Sequence, residues 1–278
     1  MPLPVVDTLP LFRPLCREIV GLLRTLSPDE WNRPTVAVPW RVRDVAAHLI
    51  DTALRRLSYH RDGRMPPTAS GSAETDRALL AVINDLNATW VHVADRLSSR
   101  VLIDLYDRVS DDLADFFESS SLDASALFPV SWAGETASTA WLDIGREFTE
   151  VWHHGAQIRE AVGAGPFSDA RWLHAVLSIA VHVLPHAYGD VPGGSGLSLV
   201  IEITGSAGGT WTLTHQGQRW EIDEGDCPGA TARATMADDT AWRLFFNALS
   251  SSAAERLVRT EGDAALVRPL LRARSVIV

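Results

Sequence analysis

Glu150 and His154 are the residues that could do chemistry, in the run Glu147-Phe148-Thr149-Glu150-Val151-Trp152-His153-His154-Gly155-Ala156-Gln157-Ile158-Arg159-Glu160. Phe148, Val151, Trp152 and Ile158 recur at helical spacing, and no helix breaker precedes Gly155. Four residues apart on a helix, a carboxylate and an imidazole project from one face, one turn apart. That is how paired helical ligands share one divalent cation. The plainer reading is a surface Glu–His contact. What decides between the two is a third donor elsewhere in the chain.

A catalytic cation of the zinc type takes three protein ligands and keeps one position open. His48 is the best third donor, because it lies mid-helix in a second amphipathic stretch that also begins with a tryptophan, Trp40. Its competing reading is a core histidine satisfied by Asp44 or Asp51. Asp44, one turn back, could instead orient the imidazole of a ligating His48. His153 adjoins His154, but a helix turns it by about 100°, towards a bundle neighbour or solvent. His182 and His186 also stand four apart. Pro185 between them would kink or end the helix, and they have no third partner, so a structural role is expected. His60, His92, His174 and His215 show no partners in the sequence.

The elements that must position these side chains follow from periodicity. Leu15, Ile19, Leu22, Leu23 and Leu26 mark a helix over about 11–26, and Ser27-Pro28-Asp29-Glu30 caps a short one. A long helix runs from Trp40 to the Tyr59 region. Gly63, Pro66, Pro67, Ser70 and Gly71 make 61–72 a loop. Helical patterns then cover about 74–98, 99–119, 139–162 and 169–187. Four long helices joined by loops fit an antiparallel bundle whose inner faces can host a site. Gly189-Asp190-Val191-Pro192-Gly193-Gly194-Ser195-Gly196 reads as a linker. Beyond it the period falls to two, with strands expected near Leu197–Glu202, Thr210–Thr214, Arg219–Ile222, Ala230–Met236 and Leu257–Thr260, and a helix from Asp238. The fold class is therefore α+β, with a helical domain over 1–190 and a small α+β domain over 195–278.

Composition narrows the function. The chain has 278 residues, 46% of them hydrophobic and 22% charged, enough to bury a core. A net charge of −10 argues against nucleic acid as a partner. All 25 cationic residues are arginine, so lysine Schiff-base chemistry and a Gly-Lys-Ser/Thr phosphate loop are excluded. Cys16 and Cys227 form no Cys-x-x-Cys pair, which suits a reduced, cytoplasmic setting. No signal-peptide pattern is expected at the proline-interrupted N-terminus, and no apolar run approaches a membrane span.

Val38-Pro39-Trp40-Arg41-Val42-Arg43-Asp44-Val45-Ala46-Ala47-His48-Leu49 resembles the first histidine motif of the DinB-like bundle proteins. Glu150-Val151-Trp152-His153-His154 resembles the Glu-x-x-x-His motif of their mycothiol-dependent maleylpyruvate isomerase branch. Ile203-Thr204-Gly205-Ser206-Ala207-Gly208-Gly209-Thr210-Trp211, with Glu261-Gly262-Asp263, is similar to the sterol-carrier-like domain often fused to that bundle. The resemblance implies a DinB-like four-helix bundle followed by a small sterol-carrier-like α+β domain. It implies His48, Glu150 and His154 as metal ligands and mycothiol as co-substrate. The substrate-binding arginine of the C-terminal domain has no match.

The implied activity is isomerisation or S-transfer on a small electrophile, the thiol being deprotonated at a divalent metal. Two imidazoles and one carboxylate suit zinc, with nickel, iron or manganese compatible. Arg55, Arg56 and Arg159 are candidates for binding an acidic substrate or the thiol's polar groups, and Trp40 and Trp152 could wall the pocket. The expected partners are a small thiol and an electrophile, with no nucleic acid and no membrane, in a monomer or homodimer. Two other functions compete. One is a non-catalytic metal-binding protein carrying an apolar small molecule or lipid. The other is hydrolysis by metal-activated water, with Glu147 or Asp51 as base.

Overall fold

A computed structural model describes residues 3–64 and 76–276. Of the loop expected over 61–72, the part from residue 65 onward lies outside the described residues, as does the expected helix start at 74. Packing divides the chain into two compact units. One comprises Thr8–Ser121 with Glu150–Phe167; the other comprises Met1–Asp7, Leu122–Thr149 and Ser168–Val278. Among the described residues no helix is long and apolar enough to cross a membrane.

The first unit is helical. Helix α1 (Leu9–Thr25) buries Phe12, Leu15, Cys16, Ile19, Val20 and Leu23 along one stripe. The short α2 (Pro28–Trp31) starts at a complete capping box, with Ser27 and Glu30 each bonding the other's backbone N–H. Next come α3 (Val42–Arg56), α4 (Asp76–Ala94) and α5 (Ser99–Glu118). α5 packs on α1 and α3, and α3 on α4. Phe12 and Phe117 meet edge-on at 5.1 Å. Beside them the Arg13 guanidinium spans Asp111 and Asp115, at 2.7 and 2.6 Å, tying α1 to α5. The indole of Trp90 on α4 donates to the Ala47 carbonyl at 2.7 Å.

Helix α6 (Ala140–Val162) gives its second half, from Glu150, to this unit. A side chain at Gly155 would stand 2.8 Å from the Ile19 methyl and 2.6 Å from the Phe167 ring, so glycine permits α1 to lie close there. α3 extends into one π-helical turn, Leu57–Arg61. That covers the stretch predicted to reach Tyr59, and the wider turn brings His60 back onto Arg56, 2.9 Å from its guanidinium. His60 therefore has the partner that the sequence did not reveal.

In the other unit, α7 (Ala170–Ala180) stops where the sequence expected a helix to continue to residue 187. A 3-10 turn at Val181–Val183 and the short α8 (Leu184–Ala187) follow, with Pro185 in the first turn of α8. The sheet has five strands: β1 (Ser198–Thr204), β2 (Gly209–His215), β3 (Trp220–Glu224), β4 (Ala232–Ala237) and β5 (Arg259–Gly262). Their order is β3-β2-β1-β4-β5, with β1 and β4 parallel and every other pair antiparallel. Gly205, in the left-handed region at φ 113°, turns β1 into β2.

Helix α9 (Asp238–Phe245) packs on α7, β1 and β4. The expected strand at 257–260 starts later, because Ser250 caps a helix that the sequence reading lacked, α10 (Ser251–Leu257). A four-residue α11 (Ala264–Val267) was also unforeseen. Tyr188 closes this end, donating to the Leu266 carbonyl at 2.7 Å.

The start of α3 sets where His48 stands. Asp44 accepts from the Arg41 backbone N–H and from its Nε, both at 2.9 Å, and is almost wholly buried. Replacing Asp44 with alanine removes this cap, and we expect a loss of about 1–2 kcal/mol in stability by urea denaturation.

Candidate metal centre

Three donor atoms from α3 and α6 converge. Glu150 Oε1 lies 3.0 Å from His154 Nε2 and 3.3 Å from His48 Nε2. The two imidazole rings stand edge to face with centroids 4.7 Å apart. Among the described residues these three form the only group of ligating side chains with one atom each within 4.8 Å of the others. Glu150 and His154 share a face because α6 is unbroken from Ala140 to Val162. His48 meets them because it sits nearly two turns into α3, on the face that includes Val45 and Asp51.

The electrostatics follow from burial and mutual contact. Burial pushes the His48 imidazole below the usual histidine range; its bond to Glu150 opposes that shift, and His154 and Arg55 add to it. Burial alone would raise the Glu150 carboxyl. The charge and hydrogen bond of His154, with those of His48, outweigh it and hold Glu150 well below the carboxylate range. Glu150 is thus an anion with 32% of its side chain exposed, so solvent reaches the centre on that side. His48 Nδ1 is buried and has no hydrogen-bond partner among the described residues.

The surrounding candidates divide. Trp40 covers the site, its ring 4.8 Å from that of His48 and 6.3 Å from that of His154. Trp152 points elsewhere, packing on Phe167 at 5.7 Å. Asp44 is held by Arg41 and makes no bond to His48. Arg55 lies one turn beyond Asp51, 3.0 Å from its carboxylate, and also donates to Asn87 at 2.8 Å. Burial raises the Asp51 carboxyl, against the pull of Arg55. Arg56 is engaged by His60. Arg159 serves the end of α6, where it reaches Glu18 at 3.0 Å and the carbonyls of Ala164, Gly165 and Pro166. Of the three arginines, Arg55 is the one whose charge is felt at the centre. Glu147 is buried on the first half of α6.

Sequence reasoning missed two participants. His153 is buried, its ring 4.9 Å from that of His154, and not in solvent. Burial, then the neighbouring His154, lowers its pKa to about 3. Gln157 bridges the two histidines, with Oε1 2.8 Å from His154 Nδ1 and Nε2 2.8 Å from His153 Nε2. The signal was present, since residues 150, 153, 154 and 157 share one helical face. His182 lies in the other unit, against Trp141 at 5.4 Å.

The sequence profile of the Mycothiol maleylpyruvate isomerase N-terminal domain matches residues 12–159, more than half of the chain and all three converging side chains. The chain belongs to that family. Two solved structures are similar over nearly their whole length. One is described as a crystal structure of the mycothiol-dependent maleylpyruvate isomerase, with TM-score 0.55, 13% identity, and coverage of 94% of this chain and 95% of that one. The other is a histidine-to-alanine mutant of the same enzyme, with TM-score 0.54, 14% identity and the same coverage. No curated protein matches the sequence. At these identities the likeness is one of fold. It establishes the α+β class, with a DinB-like helical bundle followed by an α+β domain of sterol-carrier type.

Burial lowers the pKa of His182 to about 4. Below pH 6.5 the unfolded chain binds a proton that the folded protein refuses, so this residue withdraws stability as pH falls from 6.5 to 4. The loss is about 3 kcal/mol by the bottom of that window. Replacing His182 with glutamine should flatten the stability–pH curve there, measured by urea melts at several pH values.

Proposed function

We propose that this protein is a divalent-metal-dependent enzyme that activates a low-molecular-weight thiol, mycothiol, for isomerisation or S-transfer on a small electrophilic acid. The observation that carries this reading is the convergence of His48, Glu150 and His154 within the region matched by the family. Two histidines and one glutamate are a donor set of catalytic zinc sites. Zinc is the favoured ion, with nickel, iron or manganese compatible with the same donors. The isomerase relative is described as mycothiol-dependent, which supports mycothiol as the thiol.

His48 and His154 would hold the ion through Nε2, and Glu150 through Oε1. A divalent cation held there supplies the charge that lets a thiol lose its proton at neutral pH. Burial keeps His48 neutral, hence able to donate a lone pair, at pH values where a free histidine would begin to protonate. Glu150 contributes the one formal negative charge. With two neutral imidazoles it leaves one positive charge for a thiolate to balance. Trp40 limits water over the two imidazoles. Arg55 offers a guanidinium to a substrate carboxylate. Both cysteines are free, which suits a reducing compartment such as the cytoplasm, where a small thiol stays reduced.

The decisive comparison is between wild type and His48→Ala, measuring metal content and the mycothiol-dependent turnover of an electrophilic acid. We expect wild type to hold one divalent ion per chain. His48→Ala should lose the ion and fall to the uncatalysed rate. Equal rates in the two proteins would dismiss the enzyme reading, and turnover without thiol would point to hydrolysis. For Arg55→Gln, KM for an acidic electrophile should rise roughly tenfold, the worth of one charge-assisted hydrogen bond. A neutral electrophile should show little change.

A further inference from the structure

The two imidazoles of the centre are not supported alike. His48 Nδ1 has no hydrogen-bond partner among the described residues. His154 Nδ1 stands 2.8 Å from the side-chain oxygen of Gln157, in a buried contact. The nitrogen end of the same amide lies 2.8 Å from His153 Nε2. An amide oxygen only accepts and an amide NH2 only donates. Gln157 therefore accepts the Nδ1–H of His154 and donates to a bare Nε2 on His153. One side chain reads two adjacent imidazoles in opposite senses.

We propose that Gln157 is the positioning residue of the centre, fixing His154 with its proton on Nδ1 and its Nε2 turned to the cation position shared with Glu150 and His48. The inference rests on the metal reading above and adds to it a residue that touches no ligand-accepting atom. Its physical basis is that a ligating histidine needs its other ring nitrogen held, which sets both tautomer and ring orientation. If the amide were reversed, its NH2 would face His154 Nδ1. His154 would then carry its proton on Nε2, where an ion must bind. As the amide stands, its NH2 is taken by His153 Nε2, whereas an amide oxygen there would go with the opposite His153 tautomer. Gln157, His153 and His154 thus form one interlocked set on the second half of α6.

The test uses the full chain, with and without zinc. In wild type labelled with 15N at histidine, we expect His154 to be protonated at Nδ1 in both states. By chelator competition, Gln157→Leu should bind zinc roughly ten- to a hundredfold more weakly. Gln157→Glu should restore the affinity, because its carboxylate still accepts from Nδ1–H. A merely structural role would not separate the leucine and glutamate variants in this way. Wild-type His154 with a bare Nδ1 in the ion-free protein would overturn the proposal. So would a folded Gln157→Leu that binds zinc as wild type does. Should the leucine variant fail to fold, the wild-type spectrum and Gln157→Glu decide. A wild-type protein that takes up no zinc would remove the metal reading instead, and the tautomer in its ion-free spectrum would still judge Gln157.

Discussion

A single carboxylate oxygen approached by two imidazole nitrogens at 3.0 and 3.3 Å, on largely buried side chains, cannot be left with lone pairs facing lone pairs. Protons or a cation must lie between them. Protons are disfavoured on His48, since burial works against its charged form. A divalent ion removes the conflict altogether, because all three atoms then point their lone pairs at one positive centre. The axial register of two helices depends on this meeting. A shift of one residue along either helix would move a donor by 1.5 Å and rotate it by about 100°, ending the convergence.

The ends of those helices are secured accordingly. Asp44 fixes the first turn of α3 through three bonds from Arg41. Arg159 gathers three carbonyls from the turn after α6 and ties them to Glu18 on α1, with its guanidinium over the Phe167 ring. At the other end of α3, the π-helical turn gives Arg56 to His60. Arg55 remains as the cation within electrostatic reach of His48. Its charge is partly offset by Asp51, which lowers the repulsion a metal ion would meet.

Much of this was legible in the sequence, for identifiable reasons. The Glu150–His154 pair is visible because a four-residue spacing on an uninterrupted helix leaves only one geometry. His48 is different: its place beside Glu150, 102 residues away, is tertiary, and resemblance to a family supplied what spacing could not. The role of Arg159 was unreadable because its partners are backbone carbonyls of a turn and a glutamate on another helix. α10 and α11 escaped notice because each is seven residues or fewer and offers almost no periodicity to read. The strand before α11 was placed too early for the same reason, with Leu257 ending a helix and not opening β5. Gln157 lay in plain sight at helical spacing, but amides are common on helix faces, and only two 2.8 Å contacts distinguish this one.

The arrangement bears on which nucleophile the centre could serve. Hydrolysis needs a base besides the ligands to take a proton from water. The acidic side chains of α3 nearest the centre are already committed: Asp44 to Arg41 and Asp51 to Arg55. His153, the nearest further imidazole, already accepts from Gln157. A thiol makes smaller demands. Its proton is far more acidic than that of water, and charge at the site is enough to draw it off without a dedicated base. Were a divalent ion held there, a centre whose two nearest acids on α3 are both paired would be better suited to stabilise an incoming thiolate than to generate hydroxide and relay its proton.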